Sequence, residues 1–446
     1  MGIFKFSLRM LNIISEECLF YFISVVISIA IIFNTFNLLT SSSFASINNM
    51  PSTIQGATVR LAVTIIPFAL LFVLSVFSFY ANSVFVQNKS KEMAIASLFG
   101  ISRNKLAIYL LFQNFLIEVF GTLAGIVLGY ILQPLCLTYM YKGLGTTGNI
   151  WAFSLPSLVA TSILIILQLM YATFGDFVFI STKEIKELMY KDREIRVFSS
   201  NPVQFPTTMF LIIYFFPLIY LLLGPSQPAP TQFISFDGMG AFWGTFGIIK
   251  YVIPKYIVKL KKKRYLGDKI TLVSISNASY FFKEMGFLMC MLVFMLRTII
   301  DNLALNYDSK YAQIISIFSF FCLAVIFSFT TLYKVLIELK NKTNKYKQLV
   351  IIGYTLEEIK KVVSKECFYI FSVIIILPFF NLVILFINLS IDKVLPASLL
   401  IILATGYLAV SVIFAFVTYF IYKKKAYSSI INNTSIYLPL KILQFT

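Results

Sequence analysis

Ten stretches of this chain are long and apolar, and they decide the fold class before any motif is considered: 18–39, 61–86, 106–135, 151–179, 208–223, 233–253, 285–305, 314–336, 367–389 and 397–422. The hydrocarbon core of a bilayer is about 30 Å thick, which an α-helix of about 20 residues crosses. Inside it every backbone N–H and C=O needs a partner within the protein, and a helix supplies one from its own segment. Composition agrees: 59% of the 446 residues are hydrophobic, 13% are charged, and the mean hydropathy is +0.86. The expected fold is an all-α membrane protein of about ten transmembrane helices. The stretch 208–223 is short and 233–253 carries Asp237 and several glycines, so these two depart furthest from the pattern. The opening MGIFKFSLRMLNIISEE lacks a small-residue cleavage site, which makes 18–39 a retained span and not a signal peptide.

The formal net charge is +18, and its placement orients the chain. Ten spans put both termini on one side of the membrane. Of the 37 Lys and Arg, three lie in the odd-numbered connections (Lys142, Lys310, Lys393) and four near or within spans (Arg60, Lys250, Arg297, Lys334). The other 30 fall in the amino terminus, the even-numbered connections and the carboxyl tail. Basic loops stay cytoplasmic, so both termini are expected in the cytoplasm. The clusters KLKKKR (259–264) and KKK (423–425) read as topology determinants and contacts for anionic lipids, at about 1 kcal/mol per residue. Divided among short connections, they make a poor surface for nucleic acid, which is not expected as a partner.

Several chemistries are excluded. The chain has no histidine, which removes His-based triads, a histidine general base and most zinc or haem sites. Its five cysteines (Cys18, Cys136, Cys290, Cys322, Cys367) sit in or beside apolar runs at no metal or redox spacing, as small core residues do. GTLAGIVLG has glycines but lies within a span and lacks the lysine of a phosphate-binding loop. No catalytic residue, metal or cofactor is therefore expected in this chain.

A short pattern occurs twice. NKSKEMAIASLFGISRNKLAIYLL (88–111) and NKTNKYKQLVIIGYTLEEIKKVV (341–363) each follow one long apolar stretch and precede another. Placing Gly353 on Gly100 aligns Asn88-Lys89-Ser90 with Asn341-Lys342-Thr343, and Ser102 with Thr355. In each, a short amphipathic helix on the cytoplasmic surface is expected to end at the glycine, in the left-handed C-cap conformation. The hydroxyl residue two positions later then caps the helix that re-enters the membrane. Thr355-Leu356-Glu357-Glu358 has the capping-box spacing. A plain interfacial helix anchoring a loop is the simpler reading of one copy; two copies in matching positions favour a paired mechanical part.

Lys91–132, KEMAIASLFGISRNKLAIYLLFQNFLIEVFGTLAGIVLGYIL, resembles the FtsX-like permease signature, with its basic/Glu start, glycine elbow and glycine-rich following span. Ten spans with two such units are similar to the BceB-type permeases that act on antimicrobial peptides. SISNASYFFKE (274–284) beside SLRMLNIISEE (7–17) hints that spans one to four and seven to ten are duplicates. Three parts follow: a first FtsX-like unit over 1–181, linking spans five and six over 182–269, and a second unit over 270–446. The resemblance implies the permease subunit of an ABC transporter whose separate cytoplasmic ATPase subunits, two copies, bind the ATP and Mg. By that carry-over Glu92, Phe99, Gly100, Ser102 and Arg103 meet one ATPase subunit, and Tyr346, Ile352, Gly353, Thr355 and Glu357 the other. The second copy has Lys345 where the first has Glu92. BceB-type permeases carry a large external domain between spans seven and eight; here that connection is DNLALNYDSK (301–310), so direct capture of a peptide by such a domain is in doubt. Expected settings are the plasma membrane of a low-GC Gram-positive cell, an amphipathic or lipid-linked substrate such as an antimicrobial peptide or bacteriocin, and membrane lipids as partners. A non-transporting sensor of a histidine kinase or a cell-wall hydrolase is the alternative. An ion-coupled secondary transporter would need more buried carboxylates near broken helices.

Within the spans, Gly121, Gly125 and Gly129 share one helix face, a spacing that lets backbones approach closely, with span two or across a bundle interface. Glu118, Asp176, Asp237 and Arg297 are ionisable groups in or near hydrocarbon, where each is costly and expected to be paired. Arg297, the deepest cation, calls for a carboxylate, and Glu118 is the candidate. Pro67, Pro217 and Pro378 fall inside spans and should bend them.

Overall fold

The computed structural model describes residues 15–41, 54–152, 154–182, 206–223, 231–265 and 267–442. The segment 7–14 and the connection 42–53, both read above, lie outside the described residues. All regular elements among those described are helical. They are α1 (Ser15–Thr40), α2 (Ile54–Leu98), α3 (Arg103–Leu144), α4 (Leu155–Thr182), α5 (Thr207–Leu223), α6 (Thr231–Gly247), α7 (Ile253–Arg264), α8 (Lys269–Leu305), α9 (Lys310–Ile351), α10 (Leu356–Ile391) and α11 (Ala397–Ile442). A π-helical turn, Ile248–Val252, joins α6 to α7 without a break. By length and composition α1–α4 and α8–α11 each contain a segment able to cross a membrane, and the chain is a multi-pass membrane protein. At the fifth and sixth positions stand 17-residue helices, α5 and α6.

The two amphipathic stretches differ from expectation. Instead of separate short helices lying along the surface, they are the ends of α2, 45 residues long, and α9, 42 residues long. Neither Gly nor Pro interrupts 81–98 or 328–351, so nothing stops the helix before its terminal glycine.

The chain divides into two compact units: Met1–Asn201 with Asn306–Cys322, and Pro202–Leu305 with Leu323–Thr446. In the first, α1 and α3 form the closest pair, and the glycine face explains it. A Cβ added to Gly121 would lie 2.7 Å from Val25, one on Gly125 2.8 Å from Ile29 and 3.0 Å from the Val26 carbonyl, and one on Gly129 3.0 Å from Phe33. The partner of this face is therefore span one, not span two. Asn34 clasps the same contact, donating to the Gly129 carbonyl at 3.0 Å. In the second unit α6 repeats the device: Gly240, Gly244 and Gly247 press on Pro217, Tyr214 and Phe210 of α5. Tyr214 and Leu218 of α5 then pack with Ile248 and Ile384. Pro67, Pro217 and Pro378 lie inside α2, α5 and α10, as does Pro134 in α3.

Filling the glycine face should separate α1 from α3. Gly125→Leu is expected to lower thermal stability of the detergent-solubilised protein by about 1–3 kcal/mol. Gly267→Ala, where an added Cβ meets nothing within 4 Å, should leave the melting curve unchanged.

Candidate functional site: two helical elbows

Both elbows reverse the chain by the same hydrogen bonds. Gly100 has φ +85° and Gly353 φ +105°, the left-handed region that glycine enters without a Cβ penalty. Gly100 N–H donates to the Ser97 carbonyl (3.0 Å) and Ile101 N–H to the Ala96 carbonyl (3.3 Å). In the second copy Gly353 N–H reaches Val350 and Tyr354 N–H reaches Leu349, both at 3.0 Å. This is the Schellman closure, which satisfies carbonyls left over at a helix end.

The caps that follow are unequal. Thr355 makes the full capping box: its Oγ1 accepts from Glu358 N–H (3.2 Å), while Glu358 Oε2 accepts from Thr355 N–H (3.0 Å). Ser102 has the extended N-cap backbone, φ −64° and ψ 148°, but its side chain makes no cap bond. The residue three positions beyond it is Lys105, not an acid, so the reciprocal half of a box is missing from the sequence.

The second elbow is also fastened to the start of α8. Lys269 pairs with Glu358 at 2.6 Å and lies over the Tyr354 ring, 5.0 Å from its centroid. Asp268 caps α8 by accepting from Ile270 and Thr271 N–H, both at 3.1 Å, and pairs with Lys365 at 3.4 Å. The bonds from the Thr271 side chain and backbone, with Lys365 adding charge, hold the Asp268 carboxyl at a pKa of about 2. A depressed folded-state pKa means the contribution is present above the ordinary aspartate value and is lost as pH falls toward 2.

The expected contact residues divide into tip and interior. Phe99 is 83% exposed and Ile352 74%, with Leu98 and Ile351 beside them. Gly100, Ser102, Gly353, Thr355 and Glu357 are exposed too. The side chains of Glu92 and Arg103 lie outside the described set. Tyr346 is placed otherwise than expected: it is 1% exposed, and its hydroxyl donates to Glu366 at 2.9 Å. It belongs to the interior because α9 continues through it, turning that face toward α10.

Around Glu366 lies a polar cluster that the sequence did not single out. Lys342 Nζ sits 2.5 Å from Glu366 and 3.1 Å from Glu338, with Lys334 3.6 Å from Glu338. Asn277 donates to Glu366 at 2.8 Å, Tyr422 donates at 3.4 Å, and the Tyr346 and Tyr422 hydroxyls are 2.8 Å apart. Burial alone would lower the Lys342 pKa, but Glu366 and Glu338 outweigh it and raise it above the ordinary lysine value. Burial, then Glu366, pushes the Tyr346 phenol well above its ordinary value. Charged residues four apart on α9 and facing α10 were the available signal.

The other ionisable candidates are held within one unit each. Asp176 accepts from Asn82 at 2.8 Å and from Asn114, and Asn114 also donates to Asn82 at 2.8 Å. Glu118 accepts from Tyr21 at 3.0 Å. Arg297 donates to Asn381 at 3.0 Å and feels the charge of Asp301, one turn on. Arg297 thus has a partner on α10, and Glu118, expected from sequence to face it, has one on α1. Asp237 lies in α6, its side chain outside the described set.

Removing a cap should separate the elbows. Thr355→Val is expected to cost about 1 kcal/mol and to speed amide exchange over 356–359. Ser102→Ala should change neither stability nor exchange at 103–106, because no side-chain bond is lost.

Comparison with known proteins agrees with the first elbow. Two curated relatives are each named bacitracin export permease protein BceB. The one from Halalkalibacterium halodurans is 28% identical over 124 residues, 27% of this chain and 19% of its own length. The one from Bacillus subtilis is 28% identical over 143 residues, 32% of this chain and 21% of its own length. The match thus spans about a fifth of each relative. Residues 64–185, which run from within α2 through the first elbow, α3 and α4, match the family described as FtsX-like permease C-terminal, and the chain carries an FtsX-like permease domain there.

Proposed function

We propose that this chain is the membrane-spanning permease subunit of an ATP-driven ABC transporter of the FtsX/BceB kind, with ten spans and both termini in the cytoplasm. Cytoplasmic ATPase subunits, one per elbow, bind the ATP and Mg and push on the tips. The observation that carries this reading is the exposed apolar tip, Phe99 beside Gly100, inside the segment that matches the FtsX-like family. The same apolar tip recurs at Ile351–Ile352 beside Gly353. Exposed aromatic and aliphatic residues on a rigid turn suit a protein groove better than water. The substrate is an amphipathic or lipid-linked compound met at the spans, with a peptide antibiotic as the favoured class, as the relatives' names suggest for them.

One observation favours a second reading, a non-transporting sensor that regulates a histidine kinase or a cell-wall hydrolase. Only Asn306–Ser309 separate α8 from α9, which leaves no room there for an external peptide-binding domain. In this reading the ATPase still drives the elbows, and the output is a protein contact.

Co-expression with ATPases encoded beside it tests the proposal. The chain should co-purify with one of them and raise its ATP hydrolysis. Phe99→Glu or Ile352→Glu should each weaken both by about tenfold or more, with smaller losses from Glu92→Lys and Glu357→Lys. A chain that purifies alone and moves solute down an ion gradient would refute it. Peptide survival that depends on ATP hydrolysis but not on a downstream kinase separates transporter from sensor.

A further inference from the structure

The second elbow is a hairpin of two long helix arms, and Glu366 ties it to α8 and α11. Lys342 stands nine residues before the end of α9 and Glu366 ten residues after the start of α10. At 1.5 Å per residue both lie about 14 Å from the tip. The Lys342–Glu366 contact therefore bridges the two arms at matched depth. Asn277 brings in α8 and Tyr422 brings in α11. All four helices of the repeat meet on one carboxylate, itself 1% exposed.

The first repeat keeps the lysine and has other residue types at the aligned places of Glu338 and Glu366. The register that sets Gly353 on Gly100 places Lys342 on Lys89, Glu338 on Phe85 and Glu366 on Gln113. Lys89 is buried and lies 5.8 Å from the centroid of the Phe85 ring, against which Tyr21 stacks at 5.0 Å. Gln113 donates to Tyr109 on its own helix at 2.7 Å. A short charge-assisted bond such as Lys342–Glu366 fixes distance and angle.

We propose that Lys342 and Glu366 form the transmission joint of the second elbow, a positioning pair that makes α8, α9, α10 and α11 move as one body when the tip is pushed. The inference rests on the permease reading. Gln113, at the place of Glu366 in the first repeat, donates within its own helix.

The test uses the full chain with its ATPase in lipid nanodiscs, read by three measurements: complex yield, ATP hydrolysis and peptide-dependent activity per ATP consumed. Glu366→Gln should leave complex yield and hydrolysis near wild type, because the exposed tip is untouched. Activity per ATP should fall by about two- to thirtyfold, the range that altered coupling between sites spans. Gln113→Leu, at the matching place in the first repeat, should fall least. Tyr346→Phe removes one donor without changing shape and should give an intermediate loss; it decides the matter if Glu366→Gln does not accumulate. Wild-type coupling in Tyr346→Phe and Glu366→Gln, or an equal loss in Gln113→Leu, overturns the joint. Failure of the unaltered chain to engage any ATPase overturns the permease reading, and the joint with it.

Discussion

A helix end leaves its last carbonyls without partners inside the helix, so a tight reversal holds only where the turn itself pairs them. Each elbow does this in four residues, 99–102 and 352–355. The left-handed glycine is what makes so short a reversal possible: two successive N–H groups turn back onto carbonyls of the helix just ended. A side chain at either glycine would force a Cβ against a carbonyl oxygen, at about 1–2 kcal/mol. Because the turns are tight, the arms run side by side, and every later contact between α2 and α3 or α9 and α10 inherits its register from them.

Given paired arms, both units pack helices on glycine faces and differ in the polar contacts added to them. The first relies on small residues, with Gly121, Gly125 and Gly129 letting α3 rest on the backbone of α1, and on an amide–carboxylate cluster of Asn82, Asn114 and Asp176 across α2, α3 and α4. The second joins its glycine stripe in α6 to charged contacts: Arg297 with Asn381, and Lys342 with Glu366. A buried ion pair is weak evidence of net stability, since desolvation offsets much of its attraction. What such a pair does provide is a single admissible geometry, which suits a part that must transmit force.

The spans were largely legible in the sequence because a membrane imposes length and polarity on each one. The left-handed glycines and the Thr355 capping box were legible too, being local. Long-range pairing was not. Nothing near Glu118 in sequence points to Tyr21, 97 residues away, and Tyr346 reads as a surface aromatic until α10 lies against it. The amphipathic stretches were read as short surface helices because charge marks where hydrocarbon ends; it does not mark where a helix ends. Without a breaker, α2 and α9 simply continue past the membrane. The stripe Gly240, Gly244, Gly247 carried the same signal as the stripe in α3, and was obscured by the polar residue Asp237 beside it.

The π-helical turn at Ile248–Val252 has a consequence for the basic helix beyond it. One extra residue in a turn advances everything downstream by about 100°, since an α-helix holds 3.6 residues per turn. In α7 that phase buries Ile257 and leaves Lys255, Lys259, Lys262 and Lys263 exposed. Shortening the turn by one residue would hand the inward place of Ile257 to Val258 and swing the lysine row around the helix axis. A single inserted residue therefore sets the compass bearing of a whole row of positive charge.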